Sequence, residues 1–228
     1  MKLFLSPFKP AVYLGGFLLL CIAIPLGRFE FGDGGLWTML GAAVLAIFFA
    51  VGGKNWAAMN QLGTSFNRWM NSAALTALVS STVVAPLTAA SAVFHQSRSP
   101  YYWWYDPFLV TNGEPMPWID GNGDPYLIDG AAQDASSMAL TVLLHFAVFF
   151  TMAFIGLAIG LAQGTRMIWL MVGAVFAGSF LGGVTAALTE DPLNPFRPNV
   201  YVVAIAVVAI FTLAACSVVF TRTRKFVR

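Results

Sequence analysis

KNWAAMNQLGTSFNRWMN, residues Lys54–Asn71, separates two long apolar runs, Gly35–Gly53 before it and Ser72–His95 after it. The stretch is too polar to stay in hydrocarbon. Its apolar residues nevertheless recur at helical spacing: Trp56, Met59, Leu62, Phe66, then Trp69 or Met70. It carries Lys54 and Arg68 and no acid. This pattern predicts an amphipathic helix at a membrane surface, bounded by two membrane spans.

The rest of the chain fits that frame. Of 228 residues, 58% are hydrophobic and 10% are charged, against about 25% charged in ordinary soluble domains. A soluble fold has no interior large enough for that apolar surface, so the expected fold is an all-α polytopic membrane protein. A helix needs about 20 apolar residues to cross about 30 Å of hydrocarbon. Six stretches qualify: Ala11–Gly27, Gly35–Gly53, Ser72–His95, Ser136–Gln163, Arg166–Thr189 and Val200–Thr221. The first is the shortest and has Pro25 near its end. The run after Lys2 and Lys9 lacks a small-x-small cleavage site, so it reads as an uncleaved first helix. Cys21 and Cys216 both fall in apolar segments and suggest no disulfide framework.

Charge sets the orientation. With the N-terminus in the cytoplasm, nine cations fall in inside segments: Lys2, Lys9, Lys54, Arg68, Arg166, Arg222, Arg224, Lys225 and Arg228. Arg28, Arg98 and Arg197 fall outside, together with all ten acids. That bias places both termini in the cytoplasm. The basic tail TRTRKFVR suits an anionic inner leaflet. No acid lies inside a span, which disfavours a proton relay.

Several local patterns stand out. Span three is rich in Ala, Ser and Thr around Pro86, which predicts a kink and either plain packing or a hinge. Gly156 and Gly160 are four apart, Gly164 continues the spacing, and Gly178 and Gly182 repeat it in the next span. Each set offers a groove for another backbone, within the chain or between subunits. The external segment Gln96–Ala135 opens with Tyr101, Tyr102, Trp103, Trp104 and Tyr105, an aromatic surface suited to the headgroup layer or to substrate contact. Asp120, Asn122 and Asp124 imitate the start of a calcium loop, but Pro125 and Ala131 stand where Gly and Glu are needed. A turn series explains them as well.

The chemistry is spare. His95 and His145 differ in depth by roughly 13 Å along their helices, which disfavours a shared metal or haem. HExxH, CxxC and GxSxG are absent from the sequence, and Gly53-Lys54 is followed by Asn55 where a Walker A loop needs Ser or Thr. The sequence therefore suggests no enzyme, cofactor or nucleic-acid partner. Any ATP dependence would need a separate ATP-binding subunit.

Six spans, both ends inside and a helix between spans two and three resemble the layout of the membrane subunits of type-2 exporter-class ABC transporters, especially short permeases of Gram-positive bacteria. Leu62-Gly63-Thr64-Ser65-Phe66-Asn67-Arg68-Trp69 resembles the LG-x-S-R-R-x-F entry of such permeases, with the cation doublet reduced to Arg68 and Phe66 displaced. In many of them the elaborated external region lies between spans five and six; here the long segment follows span three. The resemblance implies a coupling helix in which Trp56, Met59, Leu62 and Phe66 seat in a groove of the ATP-binding subunit, with Lys54 and Arg68 at the rim. It also implies a homodimer or a pairing with a related permease in a bacterial plasma membrane, moving an apolar or amphipathic peptide, drug or lipid. Two other readings share the topology: a structural or regulatory subunit of a larger complex, and a substrate-capture subunit of a vitamin-uptake transporter.

Overall fold

A computed structural model describes residues 1–6, 8–31, 34–98, 108–110, 118–119, 125–126, 132–189, 210, 214–215 and 217–219. Seven helices follow in order among these residues. They are α1 (Lys2–Leu5), α2 (Pro10–Phe31), α3 (Gly34–Lys54), α4 (Trp56–Gln61), α5 (Phe66–Arg98), α6 (Ala135–Ala162) and α7 (Ile168–Thr189). Strands β1 (Trp118–Ile119) and β2 (Pro125–Tyr126) form a minimal antiparallel pair.

The membrane character expected from composition is carried by four helical runs long and apolar enough to cross a bilayer. These are Pro10–Phe31, Gly35–Gln61, Phe66–Arg98 and Ala135–Ala162. The fifth expected span is the 22-residue α7. Most of Val200–Thr221 lies outside the described residues, as do Tyr101–Tyr105 and Asp120–Asp124.

The chain divides into two compact units, residues 1–48 with 67–153 and residues 49–66 with 154–228. In the first unit α5 shows how the packing works. Its buried face is Trp69, Ser72, Ala73, Thr76, Ala77, Ser80, Ser81, Val84, Ala85, Thr88, Ala89, Ser91, Ala92 and Gln96, mostly small residues at three- and four-residue spacing. Its exposed face carries Leu75, Leu78, Val79, Val83, Leu87 and Phe94. That polarity reverses a soluble helix, for a physical reason. Lipid tails solvate leucine as well as a protein interior does, so close backbone approach by small residues decides which face turns inward. The hydroxyls are satisfied mainly on their own helix: Thr76 donates to the Ser72 carbonyl, Thr82 to Leu78, Thr88 to Val84 and Ser91 to Thr88. α5 continues through Pro86, which lies on the exposed side. At 33 residues it is about 50 Å long and outreaches the hydrocarbon.

Two polar contacts join α1 and the first turn of α2 to α5. The Phe4 amide donates to Ser72 Oγ at 3.1 Å, and the Tyr13 hydroxyl meets Ser80 Oγ at 3.2 Å. Phe4 is fully buried against Trp69, 5.8 Å between ring centroids. α2 and α3 approach closely where side chains are missing. A Cβ on Gly41 would run into Ile24, and one on Gly27 would enter the Trp37 ring.

In the second unit the approach is closer still. A Cβ on Gly53 would lie 2.6 Å from the Leu157 carbonyl oxygen, and one on Gly160 would lie 2.8 Å from Gly53 Cα. The groove offered by Gly160 is therefore filled by α3 rather than by the next span. Gly156 and Gly178 are buried, and Gly182 lies within α7. Gly164 corrects the expected glycine series. It has φ +73°, with open space where a side chain would be, and it turns the chain after α6 instead of packing a helix.

Candidate functional site

The polar segment between spans two and three takes a different form from a free surface helix. Asn55 interrupts the helix for one residue but keeps right-handed helical dihedrals (φ −75°, ψ −4°), and its side-chain amide donates to the Val51 carbonyl at 2.9 Å. α4 therefore prolongs α3, and the run Gly35–Gln61 is 27 residues, about 40 Å at 1.5 Å per residue. The chain then reverses at Gly63, φ +81°. The Thr64 amide reaches back to the Met59 carbonyl and the Gly63 amide to Asn60. These are the two bonds of a glycine-capped helix end. Alanine at Gly63 should cost about 1 kcal/mol through its positive φ, whereas alanine at Gly16 has open space and should be tolerated. Thermal unfolding of the two variants checks this.

The expected docking stripe is split by this geometry. Trp56 is 2% exposed and Met59 is buried, while Phe66 stands edge-on to Trp56 with ring centroids 5.0 Å apart. Trp56 and Met59 are thus closed off from the surface, and Phe66 is half-buried beside them. Leu62 is the exception, 79% exposed, with Ala57, Ala58, Gln61 and Gly63 also exposed. Lys54 and Arg68 are exposed as expected. Helical spacing located the stripe but left open which side it faced.

A second polar constellation lies inside the first unit, and the sequence reading had placed its central residue in an external loop. Arg28 is in the last turn of α2 and is 0% exposed. One terminal nitrogen donates to the Thr88 carbonyl at 2.7 Å and to Ser91 Oγ, both on α5. The other donates to Thr38 Oγ1 on α3 at 2.7 Å. Thr38 Oγ1 is 3.4 Å from His145 Nε2 on α6, and His145 Nδ1 lies 2.8 Å from the Thr141 carbonyl. The Thr141 contact requires the proton on Nδ1, so Nε2 is left to accept from the Thr38 hydroxyl. The guanidinium thus links α2, α3 and α5, and Thr38 extends the link to α6.

An arginine in the apolar part of a membrane protein is costly unless protein groups replace its water. Here two hydroxyls and a carbonyl do so, and the negative end of the α2 dipole adds to them. The planar, permanently charged fork suits two diverging directions in a way that a lysine ammonium does not. A fixed charge is therefore buried at the end of the first long apolar helix, at a residue that the charge pattern assigns to an outside segment. A signal was present: the run Ala11–Gly27 has 17 residues, fewer than the about 20 a span needs. Extending it by one turn brings Arg28 inside.

The remaining histidine, His95, is half-buried near the end of α5, with its ring 6.5 Å from that of Phe29. Comparison with protein-family models, with curated proteins and with solved structures finds no match, so function has to be read from these two constellations.

Proposed function

We propose that this chain is the permease subunit of an ATP-driven export system and receives the motion of a separate ATP-binding subunit through the turn at Leu62–Gly63. One observation carries this reading: the turn projects on a helical run of about 40 Å, is held by buried Trp56 and Met59, and exposes Leu62 at its tip. An element that transmits force needs a rigid root and a free contact, and this one has both. Leu62 is the residue that would enter the partner's groove, with Lys54 and Arg68 beside it; Trp56, Met59 and Phe66 are the root. The substrate would be apolar or amphipathic, as the resemblance to exporter permeases implies.

The test is purification of tagged protein from its own membranes with mass spectrometry of what comes with it. An ATP-binding subunit should accompany the wild type, and Leu62→Glu should reduce its recovery about tenfold, as for a central interface residue. Because Leu62 is exposed, the variant should keep the unfolding midpoint of the wild type. Recovery of a membrane complex without an ATPase would sink the proposal and favour a structural subunit. So would undiminished ATPase recovery with Leu62→Glu.

A further inference from the structure

An apolar cleft of about 240 Å³ opens between α2 and α3, wholly within the first unit. Leu20 and Leu45 form its buried floor, Phe8, Tyr13, Phe17 and Phe48 its walls, and exposed Val12 and Val44 its rim. The cleft exists because Gly16 carries no side chain: a Cβ built there meets nothing within 4 Å. The aromatic walls are held in place, with the Phe8 and Tyr13 rings tilted against Phe48 at 4.6 and 5.0 Å between centroids and the Tyr13 hydroxyl bonded to Ser80.

Length and charge say what fits. From Lys9, whose carbonyl accepts the first amide bonds of α2, to Leu20 is 11 residues, about 17 Å of helix. That is close to one leaflet of hydrocarbon, half of about 30 Å. Lys9 is exposed and follows Phe8 of the wall in sequence, and Lys2 is exposed in the short helix before it. No acid occurs before Glu30. An apolar slot about one leaflet long, led into by a segment with two exposed cations and no acid, is complementary to one kind of molecule. We propose that the cleft is a binding site for an anionic phospholipid, an acyl chain lying along Gly16 and the phosphate at Lys9 and Lys2. This site does not depend on the permease reading, and its test involves no transport.

The experiment titrates full-length protein in detergent with phosphatidylglycerol or phosphatidylcholine and counts bound lipid by native mass spectrometry, with unfolding temperature as a second measure. Phosphatidylglycerol should bind more tightly. Lys2→Gln with Lys9→Gln should weaken it about 30-fold, roughly fivefold for each cation at a membrane surface. Gly16→Phe adds a ring at a position where a Cβ meets nothing within 4 Å, and should weaken both lipids at least about tenfold, through lost chain contact. The two variants probe the head and the tail separately, so misfolding of one leaves the other decisive. Equal binding of both lipids, insensitive to the lysines, would overturn the anionic assignment. An unchanged lipid count in Gly16→Phe would overturn the cleft itself, and would point to a second copy of the chain if the mass of the assembly changed instead.

Discussion

Arg28→Ala is expected to lower the unfolding midpoint of the detergent-solubilised protein by about 6–12 °C. The estimate follows from about 3 kcal/mol, spread over about 2–4 °C per kcal/mol for a chain of this size. Two terms add. Truncation leaves a cavity where a fully buried side chain stood, commonly 2–5 kcal/mol for large side chains in a core. It also removes the donor shared by Thr88, Ser91 and Thr38. Hydroxyls can turn to carbonyls of their own helix, as Thr88 and Ser91 already do, so the second term stays near the about 0.6 kcal/mol typical of membrane hydrogen bonds.

Arg28→Lys and Arg28→Met separate the two. Lysine keeps the charge but reaches α5 or α3 and not both, so it should lose about half as much as alanine. Methionine fills the space and relieves the cost of a buried charge, and should fall between lysine and alanine if the fork holds the helices together. A methionine variant as stable as the wild type would show that the arginine contributes packing alone. That outcome is a real competitor, because apolar replacement of buried charge is often neutral.

The second large effect is expected at Gly160. Gly160→Leu places a Cβ against the Ala50 carbonyl and 2.8 Å from Gly53 Cα. Both obstacles are backbone, so no side chain can swing aside, and α3 and α6 must separate locally. Overpacking of this kind costs about 1–3 kcal/mol, and the absence of any soft neighbour puts this case at the upper end or beyond. Gly173→Leu is the control, since a Cβ there meets nothing within 4 Å. Expression level and the midpoint of thermal unfolding should drop for the first and hold for the second. Equal behaviour would mean that the α3–α6 contact is not as close as described.

Both effects bear on function. A subunit that changes shape in a membrane needs parts that move and parts that stay together. The Arg28 link and the Gly53–Gly160 contact each fix helices within one unit. On the permease reading proposed above, any impaired transport from either variant would have to be compared with its loss of stability.

What the residues determined alone was the helical, membrane-embedded character of the chain and the places of the four long apolar helices among the described residues. Apolar runs longer than the bilayer is thick have no other stable form than a helix, because each backbone amide must bond within its own segment. Gly63 forms a left-handed cap between the polar stretch and the next helix, a conformation that glycine adopts without a Cβ penalty. What the sequence left open was which side of each helix turns inward. Lys54–Asn71 shows the limit. Its periodicity is real, but period alone does not distinguish a stripe offered to a partner from one folded against the chain's own helices. Trp56 and Met59 went inward and only Leu62 stayed out. Gly164 shared the four-residue spacing of Gly160 yet lies one turn later, past the helix end, where the same residue bends the chain. Arg28 was hidden by its place at the end of an apolar run, where a cation normally marks a loop. Only the arrival of Thr38, Thr88 and Ser91 from two other helices made a buried position tolerable. Hydrophobicity fixes which segments enter the bilayer; the facing of each helix depends on partners distant in sequence, and that is settled by tertiary packing.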